Sequence, residues 1–185
     1  AAEALQFLAS DHEMPIVYCS QHGDIHRTMA ILNNLTNGEP VSPTHFSLAV
    51  HNAICGVISI HTGNHAAIST LSFGQEGLVP ALLEALGIID SGAPKVLCII
   101  GDTSLPDIFY DSASPDEIPY ATAFVMVGGE VGDIELRMLQ ENGDESEVRQ
   151  GYCDALRFIE FLGSQRRSCL FNHNGCTWQV ARKAG

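Results

Sequence analysis

The chain has 185 residues, 45% hydrophobic and 17% charged, enough for one domain with a real core. Nine Lys and Arg against 22 Asp and Glu leave a formal net charge of −13, which argues against a nucleic-acid binder or a dock for anionic membrane. The plainest meaning of that acidity is solubility.

No run of about 18 apolar residues is present, so no membrane span is expected. Residues 1–10 lack the basic start of a secretory signal. The chain opens mid-pattern at Ala1-Ala2-Glu3, as if a piece upstream were missing. Cys19, Cys55, Cys98, Cys153, Cys169 and Cys176 form no CxxC pair. They read as small buried hydrophobes in a reducing, cytoplasmic setting.

In chain order, residues 15–20 read as a short buried strand ended by Gly23. Residues 26–37 read as a helix with Met29, Leu32 and Leu35 on one side and Gly38 as its cap. Ser42-Pro43 is a helix start. The segment from 43 to about 61 carries Phe46, Leu48, Val50, Ile54, Val57, Ile58 and Ile60 nearly all round, which predicts a buried helix with sheets or a partner subunit on both sides. Gly63 stops it.

Residues 66–73 (Ala66, Ala67, Ile68, Ser69, Thr70, Leu71, Ser72, Phe73) read as a strand. Residues 77–89 form a second apolar helix with Leu78, Leu82, Ala85, Leu86 and Ile89 at helical spacing, and Pro80 fits its first turn. Residues 95–100 are a central strand and 102–119 a long acidic loop. Residues 121–127 are another apolar strand. Residues 132–139 alternate, with Ile134, Leu136 and Met138 on one face, as an antiparallel strand should. Asp144 and Glu147 have capping-box spacing before a helix bearing Val148, Tyr152, Ala155, Leu156, Ile159 and Leu162. Residues 168–181 form a hairpin turning at Asn174-Gly175. Strands and helices mostly alternate, so the class is α/β with a mixed β-sheet and buried and flanking helices. A single domain over 1–185 is expected.

The chemistry is mostly negative. The glycines at 128–132 lead into alternation rather than a helix, unlike a dinucleotide loop. Gly74-Gln75-Glu76-Gly77 sits at a strand-to-helix turn, where a hydrolase elbow belongs, without a hydroxyl. His45, His51, His61 and His65 lack ligand spacing. Cys169, His173 and Cys176 offer zinc three ligands and no evident fourth, so a plain hairpin is the simpler reading. No cofactor is expected. Cys55 lies in an apolar setting with His51 four residues earlier on the same helical face; a Cys-His acyltransferase pair is conceivable, and packing is the simpler account. His51 and Asn52 are polar groups on a segment expected to be buried, so they need partners, in a core, an acyl channel or a subunit seam.

Ser47 through Gly56, with Asn52, Ala53 and Gly56, resembles the Ser-x-x-Asn-x-x-Ala-Gly helix of fatty-acid and polyketide ketosynthases. Residues 64–69 resemble the following strand without its Gly-Pro, and residues 95–102 a strand that ends in Gly-Gly-Glu in that family. The family's nucleophilic cysteine aligns with Gly74. The segments 41–47 and 50–53, with the late helix and Trp178, look more closely like the short ketosynthase-like proteins of aryl-polyene gene clusters, which are regarded as chain-length factors.

That resemblance implies a thiolase-like half, a truncated ketosynthase amino-terminal domain, without the family's carboxyl-terminal histidines; His173 reads as part of an unrelated hairpin. It implies a non-catalytic subunit of an enzyme complex. Gly74, with Gln75 beside it, would be the degenerate nucleophile position. Phe46, Val50, His51, Asn52, Ile54, Gly56 and residues 66–73 would lie at the tunnel or the seam. The implied partner is a complete ketosynthase, with an acyl carrier protein engaged only indirectly. The alternatives are a homodimeric thiolase-like scaffold or a stand-alone acyltransferase using Cys55 and His51.

Overall fold

The computed structural model describes residues 13–74, 77–109, 118–129, 133–139 and 153–183. Its elements are β1 (Ile16–Cys19), α1 (Ile25–Thr36), α2 (Pro43–Ala49), α3 (Ala53–Thr62), β2 (Ile68–Leu71), α4 (Leu78–Asp90), β3 (Lys95–Asp102), a 3-10 turn (Asp107–Phe109), β4 (Tyr120–Val127), β5 (Ile134–Met138), α5 (Asp154–Gly163), β6 (Ser168–His173) and β7 (Cys176–Arg182).

The apolar run in β1 is buried along its length because strands flank it on both sides. It pairs in parallel with β2 and β3, and β3 pairs antiparallel with β4, giving the order β2-β1-β3-β4. Side chains of β3 divide by period two. Val96, Cys98 and Ile100 join the larger core, while Leu97 and Ile99 join a smaller one on the other face.

The larger core belongs to α4 and α5. Leu78, Val79, Ala81, Leu82 and Ala85 of α4 are buried, and Pro80 sits in the first turn, where no intrahelical N–H is needed. From α5 come Ala155, Phe158 and Phe161, at the i, i+3, i+6 spacing of one helical face. Phe171 and Val180 close the cluster from a second, antiparallel sheet ordered β5-β7-β6. Its hairpin turns where expected: Asn174 (φ 52°) and Gly175 (φ 75°) are both left-handed, as a two-residue primed turn requires. Arg157 ties α5 to that sheet, donating to Asp154 Oδ1 (2.9 Å) and to the Leu170 carbonyl (2.8 Å).

On the other face, α3 sets Ile58 against Met14, Ile16 and Leu97. Neither α1 nor α2 has a buried residue. Among the described residues no helix is long and apolar enough to cross a membrane.

The mixed sheet is present as expected, four-stranded, and among the described residues a separate three-stranded antiparallel sheet stands beside it. Several other expectations are corrected. The apolar segment 43–61 is not one buried helix. Val50 is extended (ψ 148°) and the chain restarts at Ala53. Only Cys55 of α3 is buried, because the described residues offer that helix a single sheet face. The strand expected over 66–73 is shorter. Ala66 gives its N–H to Asn64 Oδ1 instead of a ladder, and β2 is trimmed to the length of β1. The last helix starts at Asp154, and its strongest anchors are Phe158 and Phe161; Ile159 is exposed, and Leu156 and Leu162 are half-buried. Asp144, Glu147, Val148 and Tyr152 lie outside the described residues.

Candidate functional site

Two neighbouring regions hold the residues singled out from the sequence: an apolar surface on α2 and α3 beside the open edge of β2, and the turn after β2.

The surface comes first. Ser42 caps α2 and Pro43 occupies its first position, so the helix begins where the sequence demands. Phe46 is 62% exposed, and Val50, in the break, is exposed as well. Asn52 is exposed and makes no side-chain cap; its carbonyl accepts the Gly56 N–H at 3.0 Å. Ile54, Val57 and Ile60 recur every three residues along α3, and Ile60 is 86% exposed. Gly56 lies between them with open space where a side chain would stand. A stripe of this kind lets another helix approach closely. Beside it, β2 ends its sheet and pairs only with β1 among the described residues. Ser69 donates to Glu84 Oε1 of α4 (2.6 Å), while Thr70 hydrogen-bonds the Cys55 thiol of α3. The strand is therefore held from both faces while its outer edge stays unpaired.

His51 and Cys55 are not a pair. The helix break removes the shared face. The His51 ring packs on Gly23, where an added Cβ would sit 3.1 Å from Cε1. Its Nε2 is buried without a hydrogen-bond partner among the described residues. Burial pushes the Cys55 thiol up, opposed by the Thr70 hydroxyl. A neutral thiol is a poor nucleophile.

The turn after β2 holds residues the sequence reading missed. Gly74 is exposed, with open space around its missing side chain; Gln75 lies outside the described residues. Gly77 has a steric reason to be glycine, since a Cβ there would meet Cys19 Sγ at 2.7 Å. Cys19 thus sits under the turn. Burial drives its thiol to about 11, opposed by a hydrogen bond with the Phe73 backbone, with Asp102 adding to the rise. It is inert by the same physics as Cys55.

Phe73 touches His173 edge-on, with ring centroids 5.6 Å apart. The hairpin is therefore not unrelated to this region: its tip reaches the turn. His173 faces Cys176 across the hairpin and Cys169 pairs with Val180, so the three residues do not converge. No metal-holding group of His, Cys, Asp and Glu exists among the described residues.

Asp102, read from sequence as the start of an acidic loop, is a clamp. Its carboxylate accepts from Ser20 Oγ (2.7 Å), Gln21 N–H (3.0 Å) and His22 N–H (2.9 Å), and Ser20 Oγ accepts from Gly23 N–H (2.8 Å). It fixes residues 20–23, on which the His51 ring rests. Its place at the end of a central strand is the one signal in the sequence, and that signal does not name Ser20 as the partner.

Residues 1–180 match the family model described as beta-ketoacyl synthase, N-terminal domain. Among solved structures, the chain is similar to one from the complex of a ketosynthase (ApeO) with its chain length factor (ApeC) from Xenorhabdus doucetiae. Identity is 25% and the TM-score 0.83, over 97% of this chain and 74% of that one. It is similar in fold to the ishigamide ketosynthase/chain length factor, at 18% identity and a TM-score of 0.58, over 75% of this chain and 44% of that one. No curated protein matches the chain.

Proposed function

The chain belongs to the beta-ketoacyl synthase N-terminal domain family, and from that premise we propose that it is a chain-length factor: a non-catalytic subunit that pairs with a complete ketosynthase and shapes its acyl tunnel in aryl-polyene, polyketide or fatty-acid-type synthesis. One observation carries the reading. Exposed apolar side chains, Phe46, Val50, Ile54, Val57 and Ile60, recur along α2, the break after it and α3, and α3 packs on the sheet whose β2 edge is unpaired among the described residues. Surfaces of that kind mark protein interfaces, and an open edge accepts another strand. The likeness to a ketosynthase–chain length factor complex supports the same partner.

In this reading β2, with Ala66, Ala67, Ser72 and Phe73 at its ends, adds to the partner's sheet, and Phe46, Val50 and Ile54 wall the acyl cavity. Condensation needs a thiolate to hold the growing chain and donors to stabilise developing charge. Gly74 supplies no thiol where the family's cysteine aligns, and the buried thiols of Cys19 and Cys55 stay protonated, so the partner carries the thioester. An acyl carrier protein would be engaged through that partner. We take residues 1–185 as one ketosynthase-like amino-terminal domain working in the cytoplasm. The acyltransferase reading is not favoured, because His51 and Cys55 diverge.

Coexpression with a cognate ketosynthase tests this. The expected result is a stable heterodimer with any acyl adduct on the ketosynthase alone, and a shorter product from Ile54→Trp. A chain that elutes as a monomer beside its ketosynthase, or that carries the acyl group itself, overturns it.

A further inference from the structure

The open edge of β2 has a carboxylate set over it. The Ala67 and Leu71 carbonyls accept from the Ile16 and Ser20 N–H groups of β1 (3.1 and 3.2 Å), so by alternation the N–H and C=O of Ile68 and Thr70 point away from the sheet. Side chains alternate too. Ile68 and Thr70 face α3, while Ser69 and Leu71 face α4. Ser69 donates to Glu84 Oε1 at 2.6 Å, which holds the half-buried Glu84 of α4 over the strand that ends the sheet. No cation pairs with Glu84 among the described residues.

An open edge can pair with its own copy, antiparallel about a twofold axis. Opposite residues in a sheet share a face. In the two registers nearest to centred on this four-residue strand, Ser69 therefore stands opposite Ser69 or Leu71 of the copy. The two serines are then roughly 5–8 Å apart. Each holds a Glu84 carboxylate, so two negative charges meet on one face of the joint sheet, on the scale of the Debye length, roughly 10 Å at ordinary ionic strength. The net charge of −13 on each chain adds to that repulsion.

We propose that Glu84 is a specificity determinant of this edge. Its carboxylate excludes a second copy of the chain and admits a partner strand that presents a cation or a hydrogen-bond donor where it faces Ser69. Edge strands are commonly protected from self-pairing by a charge, and specificity needs a repulsive element as well as an attractive one. Glu84 can have this role only if β2 is the pairing edge, as the proposed function has it.

Mixing charge-swapped full-length chains, without any ketosynthase, tests this by sedimentation equilibrium. The unsubstituted chain and Glu84→Lys, each alone, should self-associate weakly. Their equimolar mixture should pair about tenfold more tightly than either alone, the scale of one repulsion turned into an attraction. Hydrogen exchange at Ile68 and Thr70 should slow in the mixed dimer. Asp90→Lys makes the same charge change at the far end of α4 and should give no such gain. Glu84→Gln keeps an acceptor for Ser69 and should self-associate severalfold more tightly than the unsubstituted chain. A mixture no tighter than its components, an equal gain from Asp90→Lys, unchanged exchange at Ile68 and Thr70 in the mixed dimer, or no gain in Glu84→Gln would each overturn the proposal. Coexpression is a separate measurement, so failure here leaves pairing with a ketosynthase standing, and failure there leaves the self-exclusion measured.

Discussion

Helices α3 and α4 are both rich in aliphatic residues and both pack on the same four-stranded sheet, from opposite faces, yet they have opposite fates. Residues 78–82 of α4 are all buried, along with Ala85, because the helix packs on the sheet within the larger core that Phe158 and Phe161 of α5 and Phe171 and Val180 of the hairpin complete. Only Cys55 of α3 is buried, and Val57 and Ile60 stand 53% and 86% exposed. Covering that stripe would remove apolar area from water at roughly 25 cal/mol per Å². The difference teaches that an all-round apolar helix reports how many layers it expects, and that α3 lacks one among the described residues. The central sheet shows the same asymmetry. Its α4 face carries the larger core, and its α3 face the smaller cluster around Met14, Ile16 and Leu97.

The comparison can be broken by substitution. Leu82→Ala in α4 should cost about 2–5 kcal/mol of chain stability in urea, as buried leucine truncations do. Ile60→Asp in α3 should leave that stability within about 0.5 kcal/mol while abolishing copurification with a ketosynthase. A large loss of stability from Ile60→Asp would mean that the α3 stripe is internal, and the interface reading would fail.

Gly77→Ala probes how tightly α4 is seated over Cys19. The added methyl should cost about 1–3 kcal/mol through overpacking, and Cys19→Ala in the same chain should recover most of it. If the double variant is as unstable as the single one, the contact is not the cause. The smallest effect is pH dependence. The Cys19 thiol is raised from 9.0 to about 11, so the folded state holds its proton more tightly than the unfolded chain. Its contribution is intact below pH 9 and is lost as the pH rises toward 11. A urea midpoint that stays level from pH 9 to 11 would contradict that burial.

Much of the fold was legible because local rules were strong. Ser42-Pro43 starts a helix by capping chemistry, Asn174-Gly175 turns a hairpin because both positions tolerate left-handed backbone, and the run at 95–100 is of the kind found in a central strand. The family resemblance rests on such local segments and holds over nearly the whole chain. Less of the site was legible. The sequence points to Phe46, Ile54 and a strand over 66–73, yet it reads the segment 43–61 as one buried helix, because periodicity reports apolarity and not what lies opposite. The break at residues 50–52 carries no glycine or proline to announce it. Asp102 and Ser20 are 82 positions apart, so no pattern in sequence could join them. His173 was set aside with its hairpin, and only packing brings it to Phe73.

The sequence by itself determined where helices start, where the hairpin turns, that the turn at 74–77 offers no thiol, and that the chain carries more apolar surface than its length readily hides. Tertiary structure alone decided which of two apolar helices stays exposed, which edge of the sheet is unpaired among the described residues, and that Cys19 lies beneath Gly77. Each of those depends on the number of layers stacked against a face and on contacts between residues far apart in the chain. Hydrophobic periodicity encodes the demand for burial, and only packing reveals whether the chain meets it alone.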